Sequence, residues 1–198
     1  QEITKPRSDG DQKYDSATFY SISNCQEGLS RVTLGNFLIK RVVFEIQEEL
    51  PNIKHFGTLS PISGFRDWFS YLEDGKIKNI LGDVPVENIS FLKSPDLKVG
   101  DPRIVSNKVS ITKLVAHYLM NEKNNKQLPI NDVCRFHLGN GAIIDDIIIN
   151  ANVSEVGLNR SFGVMVNYLY ELKNIEKNHE EYINNKTIIV SDKLKKII

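Results

Sequence analysis

Between Asn36 and Leu50 the apolar residues Leu38, Ile39, Val42, Val43, Ile46 and Leu50 recur at helical spacing, which predicts a helix that lays one stripe on a sheet. Pro51 stops it. Phe65, Trp68, Phe69 and Leu72 fall at i, i+3, i+4 and i+7 and predict a short amphipathic helix. Ile111, Leu114, Val115, Tyr118 and Leu119 mark another over 110–122. Shorter helices are expected over 129–138 and 175–183, with a last helical turn through Lys193, Lys195 and Lys196. Runs rich in β-branched and aromatic residues predict strands over 17–23, 53–59, 142–149, 163–170 and 187–190. Residues 155–161 read as a loop joining two of them. Gly75, Gly82, Pro85, Pro95, Gly100 and Pro102 break up 73–107, which reads as a mainly loop-like insertion with a short helix or two. Residues 1–15 are polar, offer no face to bury and read as a disordered or linker arm, which leaves 16–198 as one domain.

The stretch from Gln26 to Asn36 is a glycine-bearing turn that runs straight into the first helix. Arg31, Lys40 and Arg41 lie near the start of this unit and Glu45, Glu48 and Glu49 near its end, the reverse of what the helix macrodipole favours. The positive N-terminus is therefore left uncompensated. Gly28 and Gly35 let the backbone N–H groups approach a ligand closely, so the turn fits a seat for phosphate. A surface helix after a tight turn accounts for the same residues equally well.

Composition narrows the classes. The 198 residues are 40% hydrophobic, enough for one domain with a core. Lys+Arg 25 against Asp+Glu 25 gives a formal net charge of +0, so neither nucleic acid nor an anionic membrane is an expected partner. Cys25 and Cys134 fit no disulfide framework or zinc pattern, and no metal site is expected. No apolar run approaches the roughly eighteen residues of a spanning helix, and a soluble, reducing compartment is expected. Gln1 in place of Met suggests a processed chain or a piece of a longer one.

Chemistry can be sought at two positions. His137 stands at a helix end beside Gly139 and Gly141, where an imidazole can be tuned for proton transfer or can simply cap the last carbonyls. Ser60 stands where a strand runs into a Ser-Pro-Ile-Ser-Gly-Phe turn; it can face a ligand or only cap that turn. No G-x-S-x-G elbow, P-loop, zinc helix or dinucleotide fingerprint is present.

Five segments then occur in an order that resembles the malonyl-CoA decarboxylase family: Phe-Tyr-Ser-Ile-Ser from Phe19, Gly-Asn-Phe-Leu-Ile-Lys-Arg-Val-Val from Gly35, Leu-Ser-Pro-Ile-Ser-Gly-Phe from Leu59, Phe-His-Leu-Gly-Asn-Gly-Ala from Phe136 and Met-Val-Asn-Tyr-Leu-Tyr from Met165. The resemblance implies an α/β (α+β) GNAT-like fold with a mixed, mainly antiparallel sheet flanked by helices. That sheet would be incomplete at its N-terminal side. It implies decarboxylation of malonyl-CoA to acetyl-CoA and CO2, with the coenzyme A thioester as substrate and no cofactor. By the same resemblance Ser30, Arg31, Val32, Thr33, Leu34, Gly35 and Asn36 would hold coenzyme A. Ser60 would be the catalytic proton acceptor and His137 the proton donor, with Ser21 and Tyr170 supporting them. Ser63 stands where Pro is usual in the family's turn, and Arg31 where Gly is frequent. A homo-oligomer, a tetramer in the family, is implied, in the cytoplasm or, in a eukaryote, in mitochondria or peroxisomes. The alternatives are a GNAT-type acyl-CoA transferase and a non-catalytic coenzyme A binding or oligomerisation module.

Overall fold

Alternation of side chains decides which face of the sheet is inside. The computed structural model describes residues 14–20 and 35–198, and of residues 35–38 the backbone alone. Among these residues, β1 (Ser16–Phe19), β2 (His55–Pro61), β3 (Ile143–Ile148) and β4 (Met165–Tyr170) form one sheet in the order β1-β2-β4-β3. β1 runs parallel to β2, while β4 is antiparallel to both β2 and β3. The sheet is thus mixed and mainly antiparallel, as expected. Along β2 the residues Phe56, Thr58 and Ser60 are buried and alternate with half-buried Gly57, Leu59 and Pro61; along β4, Val166, Tyr168 and Tyr170 are buried and alternate with Met165, Asn167 and Leu169. The register pairs Phe56 with Tyr170, Thr58 with Tyr168 and Ser60 with Val166, so these residues share one face.

Helices α1 (Gly35–Glu49), α2 (Phe65–Ser70), α3 (Asp74–Leu81), α4 (Pro102–Ser106), α5 (Lys108–Met120), α6 (Asp132–Gly139), α7 (Glu155–Ser161), α8 (Ile175–Asn185) and α9 (Asp192–Lys195) surround the sheet. Ile39 and Val43 of α1, Phe65 and Phe69 of α2, and Ile111, Leu114 and Val115 of α5 are buried in one apolar core with the inner face of the sheet. These stripes pack largely as read from the sequence, except that Leu50 lies past the end of α1 and is exposed and the Leu38 side chain lies outside the described residues.

Three local expectations are corrected. Residues 155–161 are helical, because Ser154 caps the start by accepting from the Gly157 N–H and Phe162 closes the end in a left-handed conformation. A helix of seven residues is too short to show a period. Residues 73–107 form α3, two single 3-10 turns at Val86–Asn88 and Ser90–Lys93, and α4, and Ile77, Leu81, Ile89, Leu92 and Ile104 enter the core. The glycines and prolines here punctuate packed turns. Residues 187–190 contribute a single parallel bridge, Val190 to Ile144.

Two contacts hold the end of β2 against the helices. The Ser63 carbonyl accepts from the Tyr118 hydroxyl at 2.8 Å and from Nδ2 of Asn131 at 2.9 Å. Asn131 also caps α6, its Oδ1 accepting from the Cys134 N–H at 2.8 Å. One side chain thereby joins the turn after β2 to the start of α6. At the other end of α6, Gly141 has φ 81°, and a Cβ there would lie 2.1 Å from the Ile175 carbonyl oxygen. α8 docks on this turn: Nδ2 of Asn178 donates to the Gly141 carbonyl and Nδ1 of His179 to that of Gly139.

Candidate active site

The strand β2 runs two residues further than its sequence suggests, so Ser60 lies in the strand and points from its buried face. α6 crosses that face. It delivers His137 so that Nε2 is 3.0 Å from Ser60 Oγ, while Nδ1 is 2.7 Å from the Tyr170 hydroxyl on β4. Neither ring nitrogen meets a helix carbonyl, and the Ser60 hydroxyl does not bond its own turn. The capping alternatives therefore do not describe these two residues. Ser60, His137 and Tyr170, all three singled out from the sequence, form one buried hydrogen-bonded chain.

Two further residues complete the arrangement. Thr58 Oγ1 is 3.1 Å from Ser60 Oγ. The Tyr168 ring lies beneath the imidazole, with centroids 4.4 Å apart and planes at 22°. Each sits two residues before a residue already identified, on the same strand and face, so the period of two along β2 and β4 carried the signal. Tyr168 in turn faces the Cys134 thiol, one helical turn before His137.

Electrostatics follows from burial. Desolvation lowers the pKa of His137 from 6.5 to about 3, so the imidazole is neutral at physiological pH. The same cause raises the Tyr170 phenol well above its ordinary value and pushes the Cys134 thiol up to about 12, which keeps that cysteine an inert core residue. A neutral imidazole carries one hydrogen, so it donates through one nitrogen and accepts through the other.

Ser21 and residues Ser30, Arg31, Val32, Thr33 and Leu34 lie outside the described residues. Gly35 and Asn36 open α1, whose first turn contains no acidic residue. α1 packs against α6, and Lys40 reaches Glu176 of α8 at 2.9 Å. The other histidines stand apart from the site: His55 is exposed at the start of β2, His117 stacks on Trp68, and His179 bonds the Gly139 carbonyl. Among the described residues no group of three or more His, Cys, Asp or Glu side chains comes together as metal ligands, and no helix is long and apolar enough to cross a membrane.

A mixed sheet flanked by helices is the architecture of a GNAT-like domain, and its solved neighbours share it. A malonyl-CoA decarboxylase structure from Rhodopseudomonas palustris superposes with TM-score 0.81 at 38% identity, over 92% of this chain and 42% of that one. One from Agrobacterium vitis gives 0.80 at 37%, over 92% and 45%. Rat mitochondrial malonyl-CoA decarboxylase is 36% identical over 200 residues, which is 92% of this chain and 40% of the rat protein. The model of the malonyl-CoA decarboxylase C-terminal domain matches residues 3–198, and the chain belongs to that family. It spans less than half the length of these relatives.

Proposed function

We propose that this chain carries out the decarboxylation of malonyl-CoA to acetyl-CoA and CO2, the activity its relatives are named for. The observation that carries the reading is the buried, neutral His137 held between Ser60 and Tyr170. Loss of CO2 breaks the bond between the carboxylate and the α-carbon, and its electron pair moves into the thioester carbonyl to give an enolate. The enolate then takes one proton at carbon. This needs fixed donors for an oxyanion, a proton source and a site poor in water. His137 is the proton donor, working through the Ser60 hydroxyl, which first hydrogen-bonds the enolate oxygen and then yields its hydrogen to the α-carbon. Nε2–H of His137 replaces that hydrogen, a proton from water restores the neutral imidazole as product leaves, and Tyr170 orients the ring. Acyl transfer to an amine would instead call for a free base, which an imidazole with both nitrogens engaged does not supply.

Residues Ser30, Arg31, Val32, Thr33, Leu34, Gly35 and Asn36 hold coenzyme A in this reading. A first turn of α1 without acidic residues supports an anion at that terminus. The resemblance also gives Ser21 a supporting place. Incubating the chain with malonyl-CoA should release acetyl-CoA and CO2 together, and Ser60→Ala and His137→Ala should each abolish the release. Coenzyme A binding without any acetyl-CoA would identify a binding module instead.

A further inference from the structure

Thr58, Ser60, His137 and Tyr170 form a chain whose two ends each have a single partner among the described residues. Among the described residues Thr58 Oγ1 bonds only Ser60, at 3.1 Å, and the Tyr170 hydroxyl bonds only Nδ1 of His137, at 2.7 Å. Both end groups are buried, 2% and 1% exposed. A buried O–H without an acceptor is strongly disfavoured, so each end hydroxyl donates to its one partner. Donation from Tyr170 makes Nδ1 the acceptor and places the imidazole hydrogen on Nε2. Nε2–H then donates to Ser60 Oγ. Ser60 accepts from both sides, and its own hydrogen is the one left without an acceptor in the chain. At 7% it is also the most exposed of the four, beside His137 at 4%.

We propose that Thr58 is a positioning residue: by donating to Ser60 Oγ, together with His137, it turns the Ser60 hydroxyl hydrogen out of the protein and toward the thioester oxygen, where the enolate charge develops. The proposal rests on the decarboxylase reading above. A hydroxyl that already accepts two hydrogen bonds is polarised into a stronger donor, and one aimed before the reaction needs no reorganisation as charge appears. The opposite polarity, with Ser60 donating to Nε2 and Nδ1–H donating to Tyr170, strands the buried phenolic hydrogen. It also asks His137 to act as a base, which its desolvation opposes.

Two variants and one spectrum test this. Thr58→Val keeps the shape and removes the hydroxyl, while Thr58→Ser keeps the hydroxyl. Steady-state turnover of malonyl-CoA should fall about tenfold in kcat for Val with KM within about twofold, and Ser should stay within about threefold of the parent. Equal losses in Val and Ser, or an unchanged kcat in Val, would overturn the proposal. Nitrogen-15 NMR of His137 in the full chain should show the Nε2–H tautomer, in the parent and in Thr58→Val; an Nδ1–H tautomer would overturn it whatever the kinetics. A parent that forms no acetyl-CoA counts against the decarboxylase reading alone, and the tautomer still upholds or overturns the aim of the Ser60 hydroxyl.

Discussion

The phenol of Tyr170 lies 2.7 Å from Nδ1 of His137, and both side chains are buried. The tyrosine has no other hydrogen-bond partner among the described residues, so its contribution is to fix the imidazole in one orientation and one tautomer. Tyr170→Phe should keep the fold, because the ring still fills its place opposite Phe56. It should lower kcat about ten- to a hundredfold with little change in KM. Steady-state kinetics beside a thermal melt checks this, and an unchanged kcat would remove Tyr170 from the site.

Burial of His137 also predicts how stability depends on pH. The unfolded histidine takes up a proton near 6.5, whereas the folded one stays neutral down to about 3. Between these values the unfolded state binds more protons, so this contribution is full above 6.5 and is lost as pH falls toward 3. The slope is at most about 1.4 kcal/mol per pH unit. Urea midpoints at several pH values should fall less steeply for His137→Gln than for the parent; parallel curves would mean that the imidazole is not desolvated. For the same reason, turnover should show no loss of activity with an apparent pKa near 6.5 assignable to this residue.

Asn131 binds two elements at once, donating to the Ser63 carbonyl and capping α6. Asn131→Ala loses the cap and leaves a carbonyl short of one partner, which should cost about 2–3 kcal/mol. Asn131→Asp keeps the capping oxygen and loses the Nδ2 donor, so its melting temperature should fall between those of Ala and the parent. An Asp variant as stable as the parent would show that the link to Ser63 contributes nothing. The turn is held here through the backbone carbonyl of Ser63.

Gly141 is the third anchor. Its φ of 81° and the Ile175 oxygen 2.1 Å from any added Cβ leave no room for alanine. Gly141→Ala should destabilise the chain by more than about 2 kcal/mol and lift α8 from the end of α6. Hydrogen exchange of the first turn of α8 reads this directly, and unchanged protection there would contradict it.

Much of the fold was legible because it is local. The apolar stripes of α1, α2 and α5 and the alternating strands β2 and β4 show their periods within a few residues, and the structure buries much of those stripes, Ile39 and Val43 of α1 among them, while Leu50 is exposed. The period was lost where an element is short. α7 is seven residues long and is recognisable by its Ser154 cap rather than by any stripe, and the turns of 73–107 pack through scattered residues such as Ile89 and Ile104. Pro61 looked like the start of a loop, yet it is the last residue of β2, at a level where, among the described residues, β2 pairs with β4 alone because the pairing with β1 ends at Thr58.

Ser60 and His137 were readable as candidates because each stands at the end of an element beside a turn, whereas Tyr170 came only from the family resemblance. Their assembly was not readable. Ser60 and His137 are 77 residues apart, and nothing in a local period says which strand will pair with which, or which helix will cross them. The register of Thr58 against Tyr168 and the bridge through Asn131 set the 3.0 Å contact. Burial then makes the imidazole neutral, because desolvation is a property of the packed surroundings and not of the residue. The sequence carries the groups and their periods; the packing of β2, β4 and α6 gives them their distances, their polarity and their charge.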